Sequence, residues 1–276
     1  MTAIADVPLA GGTTIPQLGF GVFQIPPKQT QAAVEEALAA GYRSIDTATA
    51  YRNEAEVGRA VEVSGLDRSE VFVTTKLWNS DHAAGRAREA FEASLERLGT
   101  DRVDLYLIHW PLPARELYVD AWLELEQILD DGLASAIGVS NFHRHHLEQV
   151  LEAGSVVPAV NQVELHPALA QAELREFHAR HGIVTEAWSP LAQADVLDDE
   201  VITAIAAEHG ATPAQVVLAW HLALGNVVIP KTVDPDRMRE NLGAVGVSLD
   251  DEDMSRIAAL DSGGRRGPDP EEFDLT

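Results

Sequence analysis

Eight short apolar runs recur along the chain, at Leu18–Phe23, Tyr42–Asp46, Val71–Leu77, Val103–Trp110, Ala136–Asn141, Ala159–Glu164, Ile183–Trp188 and Asn226–Lys231. They are short, bounded by turn residues and apolar rather than strictly alternating. That is the pattern of parallel strands covered on both faces. Helices are predicted over Thr30–Ala40, Ala84–Leu98, Tyr118–Asp131, His145–Glu152, Gln171–Arg180, Asp199–His209, Pro213–Leu224, Pro235–Leu242 and Asp250–Leu260. Gly41, Gly99 and Gly132 stand where the first three should stop. Eight strand–helix repeats in 276 residues predict one α/β domain over 1–276, a closed (β/α)8 TIM barrel. Two further short runs, Val7–Leu9 and Thr13–Ile15, flank Gly11-Gly12 and predict an N-terminal hairpin closing the barrel bottom. The last two helices are extras near the C-terminus. An open doubly wound sheet would need a glycine-rich turn after an early strand. "GFGVFQ" starts G-x-G but has Gln24 where a third glycine belongs. Residues 262–276 turn rich in Gly, Pro and charge and predict a loop or a frayed tail.

Charge and composition narrow the function. With 44 acidic and 20 basic residues the formal net charge is -24, a field that repels nucleic acid and anionic membranes. There is no cysteine, which removes disulfides, thiolate nucleophiles and cysteine zinc sites and suits a cytoplasmic location. The first basic residue is Lys28, so no secretory leader is expected, and no apolar run approaches the ~18 residues of a membrane span.

In a barrel of this class the C-terminal strand ends share one face. Asp46 ends the second strand, Lys76 comes near the end of the third and His109 near the end of the fourth, with Tyr51 in the loop after Asp46. Each has a plainer account: a cap or ion-pair acid, a packed tyrosine, a snorkelling lysine, a core histidine. Together they suit carbonyl reduction. A phenol with a pKa of about 10 is a poor acid–base group at neutral pH. A nearby ammonium is expected to lower that pKa, a carboxylate to hold the ammonium, and an imidazole to orient the carbonyl oxygen.

The segments "GYRSIDTATAYRNE", "TTKLW", "LYLIHWP", "IGVSNF", "VNQVELHP", "WSPLA" and "IPKTVDPDRMRENL" resemble, in order, the signatures of the aldo-keto reductases, over about Leu18–Asn241. The resemblance implies a catalytic tetrad of Asp46, Tyr51, Lys76 and His109, and NADPH lying extended across the mouth. It implies that Ser140, Asn141 and Gln162 bind the carboxamide, Trp188 stacks on the nicotinamide, and Ser189, Pro190 and Leu191 line the pyrophosphate path. Val22 and Phe23 would touch the cofactor from the first loop. Lys231, Thr232, Val233 and Arg237 would hold the 2′-phosphate, with Glu240 and Asn241 beside the adenine. Cation, hydroxyl and helix N–H groups suit a phosphate there, and would favour NADPH over NADH by roughly tenfold or more. Phe23 and Gln24 stand where the family often has Trp and Lys. Trp188 in place of Tyr is similar to the bacterial branch that includes 2,5-diketo-D-gluconate reductases.

The substrate wall is expected from Val22, Phe23, Tyr51, Trp78, His109 and Trp110, an apolar surface suited to small aldehydes, ketones and keto-sugars. Arg265 or Arg266 could supply a cation for a keto-acid if the tail folds over the mouth. An NADPH-sensing barrel with little turnover is the rival function. "FHRHHLE" offers His143, His145 and His146, with no carboxylate cluster in sequence beside them, so a solvated helix start and no metal are expected. A monomer is implied by the family alone.

Overall fold

The computed structural model describes residues 4–276. Strands β1 (Asp6–Pro8) and β2 (Thr14–Pro16) form the antiparallel hairpin. Eight parallel strands follow in sequential order: β3 (Phe20–Gly21), β4 (Ser44–Asp46), β5 (Phe72–Leu77), β6 (Val103–Ile108), β7 (Ala134–Ser140), β8 (Val160–Glu164), β9 (Val184–Trp188) and β10 (Val227–Val228). Hydrogen bonds across the seam close the sheet: Gly19 N donates to Val228 O at 2.8 Å, Val228 N to Gln17 O at 2.9 Å and Gly21 N to Pro230 O at 3.2 Å. The two seam strands are shorter than the sequence predicts. At β10 the reason is Pro230, which has no N–H to extend the ladder.

The hairpin sits at the barrel bottom. Leu9 and Ile15 share a cluster with Phe72, Leu105, Ala136, Ala159, Val160 and Val227, at or near the starts of their strands. The helices are α1 (Pro27–Ala40), α2 (Glu54–Val63), α3 (Arg86–Leu98), α4 (Tyr118–Asp130), α5 (Arg144–Ala153), α6 (Ala172–His181), α7 (Glu200–His209), α8 (Pro213–Ala223), α9 (Pro235–Leu242) and α10 (Asp251–Ala258). They bury their apolar faces on the strands in one large core.

Helix α2 is absent from the predicted set, although Val57, Ala60 and Val61 have helical spacing and are buried. Gly58 inside it weakens the local signal by about 1 kcal/mol relative to Ala. The glycine is required by packing: a Cβ there would lie 2.1 Å from Leu98 O. The tail after Ser262 has no regular structure, as expected, but it is pinned rather than frayed.

Candidate active site

Side chains along each strand alternate between the barrel interior and the helices. On β5 this period carries Lys76 inward. On β4, β8 and β9 it does the same for Asp46, Gln162 and Glu186. These four form one buried polar layer. Lys76 Nζ lies 2.6 and 2.8 Å from the Asp46 carboxylate oxygens, 2.9 Å from Thr47 O and 3.4 Å from Tyr51 Oη. Lys76 has no exposed surface and Asp46 is 2% exposed, so no water screens the pair. Burial alone would lower the ammonium's pKa; Asp46, then Tyr51, outweigh it and hold it above the ordinary lysine value.

Tyr51 is held by the loop rather than by a strand. The 3-10 turn Thr49–Tyr51 ends at Arg52, whose φ is 56°. Asn53 anchors the loop, accepting from Thr47 Oγ1 at 2.8 Å and donating to Val22 O at 3.2 Å. Burial pushes the Tyr51 phenol up to about 12; Lys76 lowers it, and Asp46 and Glu186 raise it. The expected lowering by the ammonium is therefore present but outweighed by desolvation. The phenol stays protonated at neutral pH, the form that can give a proton.

His109 packs edge-on against Tyr51 and Trp78, with ring centroids 5.6 and 5.2 Å away. Burial, then the Lys76 charge, lowers its pKa well below the usual histidine range, so the ring is neutral. Its Nδ1 is buried without a partner. Phe23 lies 5.0 Å from Tyr51 and is 54% exposed, at the rim. Val22 has no exposed surface and belongs to the core, so it adds nothing accessible to the wall or the cofactor path.

Ser140, Asn141, Gln162 and Trp188 form one network. Ser140 Oγ donates to Gln162 O at 2.8 Å; Asn141 Nδ2 donates to His109 O at 3.0 Å and Ser140 Oγ at 3.1 Å; Trp188 Nε1 donates to Asn141 Oδ1 at 2.9 Å. Gln162 Nε2 donates to Asp46 Oδ2 at 2.8 Å and to Glu186 Oε2 at 2.9 Å. The amide donors of Asn141 and Gln162 are therefore all committed, and capacity for a ligand lies on their oxygens. That suits an N–H2 group, which is what a carboxamide offers. Ser189 and Leu191 border the mouth half-buried and Pro190 is buried.

Lys231, Val233 and Arg237 are exposed, Thr232 and Glu240 half-buried and Asn241 buried, around the start of α9. Neither Lys231 nor Arg237 has a carboxylate within ion-pair distance among the described residues. In a chain of net charge -24 these two cations are free for an anionic ligand.

The sequence missed two features. The first is Glu186, fully buried in the layer beneath Trp188. Its spacing of two before Trp188 was a usable signal, since both must face inward. The second is what fixes the tail, which does fold over the mouth and straps it. Gly264 N donates to Ala168 O at 2.8 Å, and Arg266 N and Gly267 N to the Glu164 carboxylate at 2.6 and 2.8 Å. A Cβ on Gly267 would lie 2.4 Å from the Trp188 ring. Further on, Phe273 packs 4.2 Å from Trp110 and Asn79 Nδ2 donates to Leu275 O at 2.7 Å. Phe273 thereby joins the aromatic wall. Arg265 and Arg266 do reach the mouth, but each faces a carboxylate there, Glu164 at 3.7 Å and Asp195 at 3.1 Å.

His143, His145 and His146 converge on Glu271 of the strap at 2.8, 3.3 and 3.7 Å. The tail thus brings a carboxylate to the three histidines. His146 Nδ1 accepts the His143 backbone N–H at 3.1 Å, which places the proton on Nε2 and takes that nitrogen out of a ligand role. The cluster is a latch for the strap.

Acid, ammonium, phenol and imidazole at the base of an aromatic mouth, on the C-terminal rim of a (β/α)8 barrel, form a site for delivering a proton to a bound oxygen. The model of the Aldo/keto reductase family matches residues 17–262, and the chain belongs to that family of oxidoreductases. It is 52% identical over 270 residues to an aldo-keto reductase of Mycolicibacterium smegmatis, covering 98% of each chain. It is 48% identical over 269 residues to the methylglyoxal reductase DkgA of Escherichia coli, covering 97% of each. A crystal structure of a Gox0644 mutant in complex with NADPH superposes with a TM-score of 0.95 at 46% identity, covering 99% of this chain and 100% of that one.

Proposed function

We propose that this protein reduces small aldehydes, ketones, dicarbonyls or keto-sugars to alcohols with NADPH, with Tyr51 as proton donor. The observation that carries the reading is the continuous contact from Asp46 through Lys76 to Tyr51, at 2.6 and 3.4 Å, opening beneath the aromatic wall. NADPH would supply a hydride to the carbonyl carbon. The chain supplies the rest. Trp188 and the oxygens of Asn141 and Gln162 would hold the nicotinamide end, and Lys231 and Arg237 the 2′-phosphate. Neutral His109 donates a hydrogen bond to the carbonyl oxygen and fixes it beside Tyr51. The Tyr51 proton passes to that oxygen as charge builds on it. Lys76 stabilises the phenolate left behind, and Asp46 keeps Lys76 charged and in place. Phe23, Trp78, Trp110 and Phe273 exclude water.

The methylglyoxal reductase name of the Escherichia coli relative and the diketogluconate-type look of the Trp188 segment both favour small dicarbonyls and keto-sugars. Pairing of Arg265 and Arg266 with carboxylates leaves neither tail cation free for an anionic substrate, which ranks neutral methylglyoxal ahead of 2,5-diketo-D-gluconate, itself a carboxylate. A cytoplasmic monomer fits the cysteine-free, acidic chain and the family. The test is loss of NADPH absorbance with methylglyoxal, 2,5-diketo-D-gluconate and aromatic aldehydes, beside Tyr51→Phe. Turnover that collapses in the variant supports the assignment. NADPH binding without turnover on any carbonyl would favour a sensing role instead.

A further inference from the structure

We propose that Glu186 is a positioning residue for the nicotinamide: through Gln162 it fixes the amide face that the carboxamide meets, and its charge sets the relative affinity for NADP+ and NADPH. Glu186 takes this part only if NADPH binds across Gln162 and Trp188, as proposed above.

Gln162 and Glu186 are register partners on β8 and β9. The two protons of the Gln162 amide are both taken, by Asp46 Oδ2 at 2.8 Å and Glu186 Oε2 at 2.9 Å. A flipped amide would set its oxygen against the Asp46 carboxylate and leave Glu186 Oε2 without a donor, so the pair of acids holds Gln162 with Oε1 turned away from them. Asp46 is already committed to Lys76. Among the described residues Gln162 is the one hydrogen-bond partner of the Glu186 side chain, whose Oε1 is buried with none. An orphaned buried oxygen costs about 1–3 kcal/mol. An apolar residue would fill the site without that cost, so stability does not account for a carboxyl here.

The charged and titratable groups facing Glu186 are Asp46 on β4, Tyr51 in the loop after β4, and Lys76 on β5. Burial, then Asp46, pushes Glu186 up to about 8; Gln162 and Lys76 pull the other way. The carboxyl therefore holds its proton far above the ordinary carboxylate range and ionises within the neutral-to-alkaline range. The nicotinamide ring is cationic in NADP+ and neutral in NADPH. A negative charge two residues before Trp188 therefore favours the oxidised form. The 2′-phosphate is present in both forms, and its titration cancels in the ratio of their affinities.

Dissociation constants for NADPH and NADP+ are measured by tryptophan fluorescence from about pH 6 to about pH 10 in the parent, Glu186→Gln and Glu186→Leu. In the parent the ratio Kd(NADPH)/Kd(NADP+) rises about five- to tenfold through the ionisation of Glu186. In Glu186→Gln the ratio is flat, and affinity near pH 6 stays within about twofold because an amide oxygen still accepts from Gln162. Glu186→Leu frees the Gln162 amide and weakens both forms by about tenfold. The glutamine variant keeps size and acceptor, so its arm decides even where the leucine variant does not fold. An equal rise in Glu186→Gln, or parent-like binding by folded Glu186→Leu, overturns the role of Glu186 alone. A parent that binds neither form overturns the NADPH reading and this role with it.

Discussion

Removal of the Lys76 ammonium tests whether the buried pair organises the site. In Lys76→Met the Asp46 carboxylate keeps Gln162 but loses its cation, with Glu186 as an acidic neighbour in the same dry layer. Leaving one charge of a buried pair uncompensated costs roughly 3–5 kcal/mol, whereas replacing both partners together is far cheaper. Asp46→Asn should also destabilise, by stranding Lys76. The double variant Asp46→Asn/Lys76→Met keeps an acceptor for Gln162 and should lose clearly less than the sum of the singles, with a coupling of about 2–3 kcal/mol. Urea unfolding followed by the fluorescence of the five tryptophans reads these values directly. All three variants should lose turnover by about 10²–10⁴-fold, because the Tyr51 phenolate loses its stabilising charge or the group that orients it. Stability losses that add within about 0.5 kcal/mol would refute the coupling. Turnover of Lys76→Met within tenfold of the parent would refute the role of Lys76 in proton delivery.

Other expectations follow from single observations. Lys231→Ala/Arg237→Ala should weaken NADPH about tenfold or more and leave NADH nearly unchanged, read by fluorescence titration. His82 is lowered to about 4, and His178 and His221 to about 3, chiefly by burial. Their folded values lie below the unfolded 6.5, so the stability they contribute is present above pH 6.5 and is lost as pH falls toward the folded values. Each adds about 1.4 kcal/mol per pH unit in that window, so Tm should drop steeply on acidification. Glu186 has the opposite sense: raised to about 8, it binds a proton in the folded state that the unfolded chain releases above its ordinary value of 4.5. Between about pH 6.5 and 8 stability should therefore decline with rising pH, and Glu186→Gln should remove that slope. Gly267→Val has no room beside Trp188 and should lift the strap, seen as faster proteolysis after Ser262 and weaker cofactor binding.

Much of the fold is local in origin. Eight apolar runs, the glycines ending helices and the inward period of each strand need no long-range information, and they place Asp46, Lys76 and His109 on one rim. Tyr51 comes beside them because its loop is short and leaves directly from Asp46. Helix α2 was missed because Gly58 weakens its pattern for the sake of a contact with Leu98, a partner forty residues away in sequence.

What the chain could not disclose by itself are the meetings across the barrel. Whether Glu186 reaches Gln162, and Gln162 reaches Asp46, depends on register and closure, which no single segment encodes. The raised pKa of Tyr51 has the same origin: a neighbouring ammonium that lowers it is visible in sequence, but the desolvation that outweighs it is a property of the closed mouth. The strap is the extreme case. Its residues carry no periodicity, and its course is fixed by a carboxylate and a tryptophan at the ends of β8 and β9 and by three histidines at the start of α5. Local pattern determines which way a side chain points, and tertiary closure determines what it finds there.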